Sequence, residues 1–248
     1  MASISHRVSI AWLPAPPSEP TSTVVLTSPG RWFVDVRILL PLSSTHPQLD
    51  WALAGTSSST PVRPGVSDCV WRHWVDSRHA NDADTEAQVD RGRNTDQPDD
   101  GTVLETGSMV NPATGQVQDY EEVWRDDDMA AGDSSTSTSS SNRCAVLQHH
   151  EVAGDTDGSS SRGVVIVLGP YCQGILRTKE GVTVERWQRG VDDGDDNTKD
   201  RGSWKLVFRL GSGELPCKMV TENESLIEGE HLVDGSNQRW TVIEATQA

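Results

Sequence analysis

Val24-Val25-Leu26 followed by Arg37, and Val164-Val165-Ile166 followed by Arg177, carry one pattern at one spacing in the two halves of the chain. Further echoes keep the same order: Trp51 with Trp187, Trp71-Arg72 with Trp204-Lys205, and Glu105-Thr106-Gly107 with Ile227-Glu228-Gly229. The distance between partners shrinks along the chain, as it does when the first copy holds the longer insertion. Ordered self-similarity bears on architecture before any single motif does. Here it predicts a divergent tandem repeat of two β units, and it supplies no chemistry of its own.

Outward from these strings, Thr23 to Thr27 and Trp32 to Leu40 read as paired strands about Ser28-Pro29-Gly30, a turn by composition. In the second strand Phe33, Asp35 and Arg37 alternate with Trp32, Val34, Val36 and Ile38, which gives one apolar face. Ser9 to Trp12, Leu49 to Leu53 and Cys69 to Val75 read as further strands, and Thr102 to Val110 with Gln116 to Trp124 as a hairpin. Residues 78 to 101 are polar without either period and read as a loop or disordered insertion. After residue 142, strands are expected at Cys144 to His149, Gly163 to Leu168, Tyr171 to Arg177, Val182 to Gln188, Trp204 to Leu210, Leu215 to Val220, Ser225 to Val233 and Gln238 to Ala245. No apolar i, i+3, i+4, i+7 pattern lasts three turns, so the chain reads as all-β.

The segment from Asp126 to Asn142 is of low complexity, with eight consecutive Ser/Thr from Ser134 to Ser141. It holds too little apolar surface to offset its ordering entropy and reads as a linker. The expected organisation is therefore a β-barrel domain over 1–125, a Ser/Asp-rich disordered linker over 126–142, and a second β-barrel domain over 143–248.

Composition narrows the function. The net charge is −16 with a pI near 4.7. Clustered Lys and Arg are what bind phosphate backbones, and the densest basic spot, Arg91-Gly92-Arg93, sits among acids. Nucleic acid and anionic lipid are disfavoured as partners. The hydrophobic fraction is only 34 %, but nine tryptophans stand against two Phe and two Tyr. Each indole buries a large area, so tryptophan is expected to supply much of the core, with stacking platforms as the alternative. Cys69, Cys144, Cys172 and Cys217 form no CxxC pair and read as free thiols of a reduced, intracellular protein. No apolar stretch near His6 and Arg7 forms a signal peptide, and Val164 to Leu168 is far too short to span a membrane.

Catalytic and ligand motifs are missing. There is no GxSxG elbow, P-loop or GxGxxG. Cys144 with His149 or His150 is a weak metal spacing, because strand alternation turns the two histidines to opposite faces. No metal and no cofactor is expected. Glu121-Glu122 and Asp192-Asp193 read as solvated surface. Catalysis by residues distant in sequence stays open.

The opening Met1-Ala-Ser-Ile-Ser-His-Arg-Val-Ser-Ile-Ala-Trp-Leu-Pro14, Leu49-Asp50-Trp51-Ala52, and Trp71-Arg72-His73-Trp74-Val75-Asp76-Ser77 resemble the fungal HRI family. So do Glu105-Thr-Gly-Ser-Met-Val-Asn-Pro-Ala-Thr-Gly-Gln116 and Asp119-Tyr-Glu-Glu-Val-Trp-Arg125. The resemblance covers the whole chain and is looser after Asn142. It implies tandem lipocalin- or calycin-like antiparallel β-barrels and no established enzymatic activity. It also implies a cytosolic and nuclear location, with casein kinase I and secretory-pathway associations. The expected role is a non-enzymatic interaction or adaptor protein with casein kinase I as partner; the alternative is a carrier of a small apolar ligand in a barrel cavity.

Such barrels make Trp32, Trp51, Trp71, Trp187, Trp204 and Trp240 candidate interior residues, either lining a cavity or filling it. Arg37 and Arg177 are the repeat-related exceptions, expected to close a barrel end by stacking on an indole, with a clamp on a ligand carboxylate as the alternative. Casein kinase I resembles acid-directed kinases that favour an acid or phosphate three residues before the target. Asp133 lies three before Thr136, which lies three before Ser139; Ser134, Ser137 and Ser140 repeat the step, and Asp157 precedes Ser160. Each phosphate would prime the next site with about −1.5 to −2 charge.

Overall fold

The structure is a computed structural model that describes residues 1–42, 47–79, 88–127, 143–152, 160–190, 203–223 and 225–246. Eight strands, β1 (Ser3–Trp12), β2 (Thr21–Thr27), β3 (Trp32–Leu39), β4 (Leu49–Arg63), β5 (Val66–Asp76), β6 (Val89–Gln97), β7 (Thr102–Val110) and β8 (Val117–Asp126), run up and down in sequence order. They close into an antiparallel barrel, sealed by β1 on β8 from Ser5 opposite Asp126 to Trp12 opposite Tyr120. Closure removes the unpaired edges that an open sheet would expose.

The alternation of β3 is read by the fold in an inverted sense. Its apolar members, Val34, Val36 and Ile38, point outward with Ile4, Val24, Leu26, Ala52 and Ala54, while Phe33, Asp35 and Arg37 point into the lumen. The outer face is apolar because it is covered. Strands β9 (Cys144–Val152), β10 (Ser160–Leu168), β11 (Tyr171–Thr178), β12 (Gly181–Arg189), β13 (Trp204–Leu210), β14 (His231–Val233) and β15 (Arg239–Thr246) form an antiparallel sheet in the order β13-β12-β11-β10-β9-β15-β14. One face brings Val146, Val164, Ile166, Leu168, Ile175 and Phe208 onto the barrel wall, so barrel and sheet share a single apolar core. The other face packs Leu147, Val165, Val167, Leu176, Trp240 and Val242 against the helix α1 (Cys217–Glu222) and Leu226. Burial on both faces is why Val164 to Leu168 is continuously apolar rather than alternating.

Polar side chains pin the two parts together. Gln173 donates from Nε2 to the carbonyls of Val24 (3.0 Å) and Val34 (3.2 Å). Arg186 donates to Gln173 Oε1 (2.6 Å), Ser22 Oγ (3.0 Å) and the Val36 carbonyl (2.5 Å). Glu244 accepts from Ser28 Oγ (2.5 Å) and the Gly30 N–H (2.8 Å), tying the β2–β3 turn to β15. All four cysteines are free and buried.

Several expectations are corrected. The second half forms a seven-stranded sheet where the sequence predicts a barrel; among the described residues its end strands β13 and β14 are not joined. Leu215 to Val220 is not a strand: Pro216 is followed by α1, whose Cys217, Val220 and Thr221 fall on one buried face. Its i, i+3, i+4 pattern is too short to be legible over three turns. Ser225 to Val233 yields only the three residues of β14. Within the supposed insertion at 78–101, Val89–Gln97 is barrel strand β6, paired to both β5 and β7. Its alternation is invisible because its inward residues Asp90 and Asn94 face a polar lumen.

Candidate functional site in the barrel lumen

Strand alternation delivers an unusual set of side chains to the barrel interior. From β1 comes Arg7, from β3 Asp35 and Arg37, from β7 Glu105, and from β8 Tyr120, Glu122 and Trp124. Glu122 accepts from Arg7 Nη1 at 2.6 Å and from Arg37 Nη1 at 3.4 Å. Arg7 is also held by Glu19 (2.8 Å) and the Thr21 hydroxyl (2.7 Å). Arg37 grips one oxygen of Asp35, Oδ2, through Nε (3.0 Å) and Nη2 (2.8 Å). Burial would depress the Arg37 pKa, but Asp35 and Glu122 outweigh it and hold the guanidinium charged. The arginine also lies 4.9 Å over the ring of Trp51, where Arg78 stacks at 4.3 Å.

A second cluster sits beside it. His73 is clamped between Asp76 (Nδ1, 2.9 Å) and Asp90 (Nε2, 3.0 Å). Burial opposes its charge, yet the bonds to the two carboxylates raise its pKa to about 9. Asp76 is itself buried and still pulled down to about 2 by His73, the Arg78 N–H and the Trp51 indole. Across the lumen, Tyr120 donates its hydroxyl to Glu105 Oε1 at 2.7 Å. Burial first, and the charge of Glu122 second, push the Glu105 carboxyl up to about 8, so it keeps its proton at neutral pH. Among the described residues, no group of three His, Cys, Asp or Glu is arranged to hold a metal ion.

The charged girdle divides the lumen into two open cavities that share Arg37, Asp90 and Met109 in their walls. One, of about 480 Å³, opens at the Trp12, Trp51 and Arg78 end. The other, of about 230 Å³, opens at the Ser3, Arg31 and Asp126 end. The smaller cavity is walled by Phe33, Trp71, Tyr120 and Trp124. Its charged lining is Asp35, Asp90, Glu105, Glu122 and Asp126 against Arg31 and Arg37. Three polar atoms in that wall are buried without a hydrogen-bond partner: Asp35 Oδ1, Asn94 Oδ1 and Trp124 Nε1. Native interiors rarely leave such groups unpaired, and each calls for an explanation.

The sequence profile of the family described as Protein HRI1 matches residues 3–244. The chain belongs to the fungal HRI1 family. Protein HRI1 from Saccharomyces cerevisiae strains YJM789 and RM11-1a is 27 % identical to it over 234 residues, covering 92 % of this chain and 93 % of each relative. A crystal structure of the uncharacterized protein YLR301w from Saccharomyces cerevisiae superposes with a TM-score of 0.71 at 23 % identity, over 99 % of both chains. That likeness shows that this HRI1-family fold extends over barrel and sheet together.

Of the residues singled out in this HRI1-family chain, Arg37, Trp51 and Trp71 lie in the lumen. Trp32 lies on the outside, edge-to-face with Trp74 at 5.9 Å, at the margin of the shared core. The other four sit in the second sheet, not in a barrel interior. Arg177 is buried on the barrel-facing side and donates to the His79 carbonyl at 2.9 Å. Trp240 is fully buried with its Nε1 on Asp234 (2.9 Å); Trp187 donates to Glu185 (2.7 Å), and Trp204 packs beside them. Ser160 opens β10 with a buried Oγ that has no hydrogen-bond partner. Ser134, Thr136, Ser137, Ser139 and Ser140 lie outside the described residues.

Sequence reading missed Arg7, Asp35, Asp76, Tyr120 and Glu122 as lumen residues. Glu121-Glu122 is corrected most sharply: Glu122 is 2 % exposed and pairs with two arginines. The available signal was parity, since Tyr120, Glu122 and Trp124 share one face of β8.

Proposed function

We propose that this HRI1-family chain is a binding protein whose barrel lumen holds a small molecule. The observation that carries the reading is the open 230 Å³ cavity whose wall leaves Asp35, Asn94 and Trp124 with unpaired buried polar atoms. A ligand, or ordered water replaced by one, would complete those contacts. The lumen also favours binding over turnover. Both nitrogens of His73 are engaged and its raised pKa keeps it protonated at neutral pH, so it is no general base. The Cys69 thiol in the cavity wall is pushed up by burial, away from the reactive thiolate. The cavity is too polar for the purely apolar ligand that a tryptophan-lined barrel suggests. Native mass spectrometry of protein purified from its own cells tests the reading. A discrete adduct lost on denaturation is expected; a bare mass, with no quenching of indole fluorescence by any small-molecule extract, overturns it.

An adaptor role is the second reading, favoured by the acid-primed spacing of Ser134, Thr136, Ser137, Ser139 and Ser140 together with the family relationship. It takes casein kinase I as partner, a secretory-pathway component as a further one, and a cytosolic and nuclear location. Purified casein kinase I acting on the full chain should add successive phosphates to that tract; an unmodified tract removes the reading. Duplication of a calycin-like unit belongs to the same proposal, supported by the echoed strings on the β2–β3 and β10–β11 hairpins.

A further inference from the structure

We infer that the smaller lumen cavity is built for an organic cation: a protonated amine carried on a compact aromatic or apolar body. The inference rests on the lumen-binding reading and names its ligand class. Charge gives the sign. Of the five carboxyl groups along the cavity, Glu105 is protonated, Asp90 is paired with His73 and Glu122 with Arg7 and Arg37, while Asp35 meets Arg37 through Oδ2 alone and keeps a buried carboxylate oxygen, Oδ1, without a partner. An anion would be repelled by that oxygen, and a neutral hydrocarbon would leave it unsatisfied.

Geometry gives the contact. Asp35, a residue of the cavity wall, is 4 % exposed, and both Arg37 bonds fall on its Oδ2, which leaves the buried Oδ1 unpaired. Asn94 contributes a second unpaired acceptor oxygen. An ammonium group has three donors and no acceptor, which matches a wall that offers carboxylate and amide oxygens. Aromatic faces give the body. Phe33, Trp71, Tyr120 and Trp124 surround the space, and indole and phenol rings attract desolvated cations. Trp124, 9 % exposed, adds an unpaired N–H donor for an acceptor elsewhere on the ligand.

Size gives the limit. An apolar cavity of about 150 Å³ holds benzene. The 230 Å³ here admits one ring with a short side chain.

The test is calorimetric titration of the full chain with three probes of one skeleton: 2-phenylethylamine, 2-phenylethanol and phenylacetate at pH 7. The amine should bind at least tenfold more tightly than the alcohol, and phenylacetate more weakly than either. Asp35→Asn should bring the amine to the level of the alcohol while leaving the alcohol within threefold. Asn94→Asp, which adds negative charge to the wall without changing its shape, should tighten the amine severalfold and not the alcohol. The wild-type series decides the matter even if Asp35→Asn fails to fold. Binding of the alcohol or phenylacetate as tight as the amine, or no binding of the amine at all, overturns the ligand class. The lumen reading then stands if a native adduct is found, and falls with it if none is.

Discussion

Glu105 offers the most direct measurement of the lumen's electrostatics. Its carboxyl titrates at 4.5 in an unfolded chain and at about 8 in the fold. For an acid whose folded pKa is raised, the native state is penalised as pH rises from the lower value to the higher. At pH 7 the unfolded chain has released the proton and the folded one retains it. That gap of about 2.5 pH units, at about 1.36 kcal/mol per unit, amounts to about 3 kcal/mol. Glu105→Gln keeps an oxygen at the position where Tyr120 donates and removes the titration. It should therefore stabilise the protein by about 3 kcal/mol at pH 7 but only about 1 kcal/mol at pH 5. Water reaching the cavity would screen the ionised form, so these are ceilings. The assay is urea unfolding of both proteins at pH 5, 7 and 9. His73 also loses its contribution over the upper part of this range, but equally in both proteins, so the difference isolates Glu105. A substituted protein that is less stable than wild type by the same amount at each pH would refute a protonated Glu105.

Three other perturbations probe separate parts of the structure. Asp76→Asn removes the anion that accepts from Trp51, His73 and the Arg78 N–H, and should cost about 3–5 kcal/mol as a broken buried pair. It should also lower the His73 pKa, read by NMR titration of the imidazole; an unmoved value near 9 would show that Asp90 alone sets it. In the wild type, the contribution of His73 is full below pH 6.5 and fades as pH rises through about 9, whereas that of Asp76 is full above pH 3.8 and fades as pH falls through about 2. Arg186→Met leaves the interface carbonyls of Val36 and Ser22 without their donor and should cost about 3 kcal/mol or more, measured by urea midpoint. Gly55→Ala would set a Cβ 1.9 Å from the backbone oxygen of Arg72 at the β4 bulge, and should cost about 1–3 kcal/mol in thermal or urea unfolding.

What was legible in the sequence followed from strong periodicity, and what was not followed from its absence. Strands β2, β3, β10 and β11 are visible because apolar residues mark at least one face of each. Strand β6 is not, because both of its faces are polar: one meets solvent, and the other meets a lumen that holds Asp90 and Asn94. The same polarity hid the candidate site. Barrel interiors are commonly apolar, so tryptophans such as Trp51 and Trp71 are the natural candidates there, whereas Glu122 reads as surface and Tyr120 carries no interior signal of its own. A carboxylate inside a barrel is decipherable only with its partners, and Arg7, Arg37 and Glu122 lie on three strands whose adjacency no local pattern reports.

The repeated string itself has a physical explanation once the two hairpins are seen together. Val24, Leu26, Val34 and Val36 on one side, and Val164, Ile166 and Ile175 on the other, belong to one apolar core. The two echoed hairpins thus face each other across the joint between barrel and sheet. The opposite parity meets different surroundings: Val25, Asp35 and Arg37 turn to a polar lumen, while Val165, Cys172 and Leu176 turn to a second apolar cluster. The echo is not confined to the shared core, since Val25 and Val165 match although one turns to the lumen and the other to the second cluster. Arg37 and Arg177 bear this out, since one is locked to carboxylates inside the barrel and the other reaches a backbone carbonyl at the joint. Val24, Leu26, Val164 and Ile166 locate a shared interface. The site has to be sought where the two hairpins differ, and that is the barrel lumen.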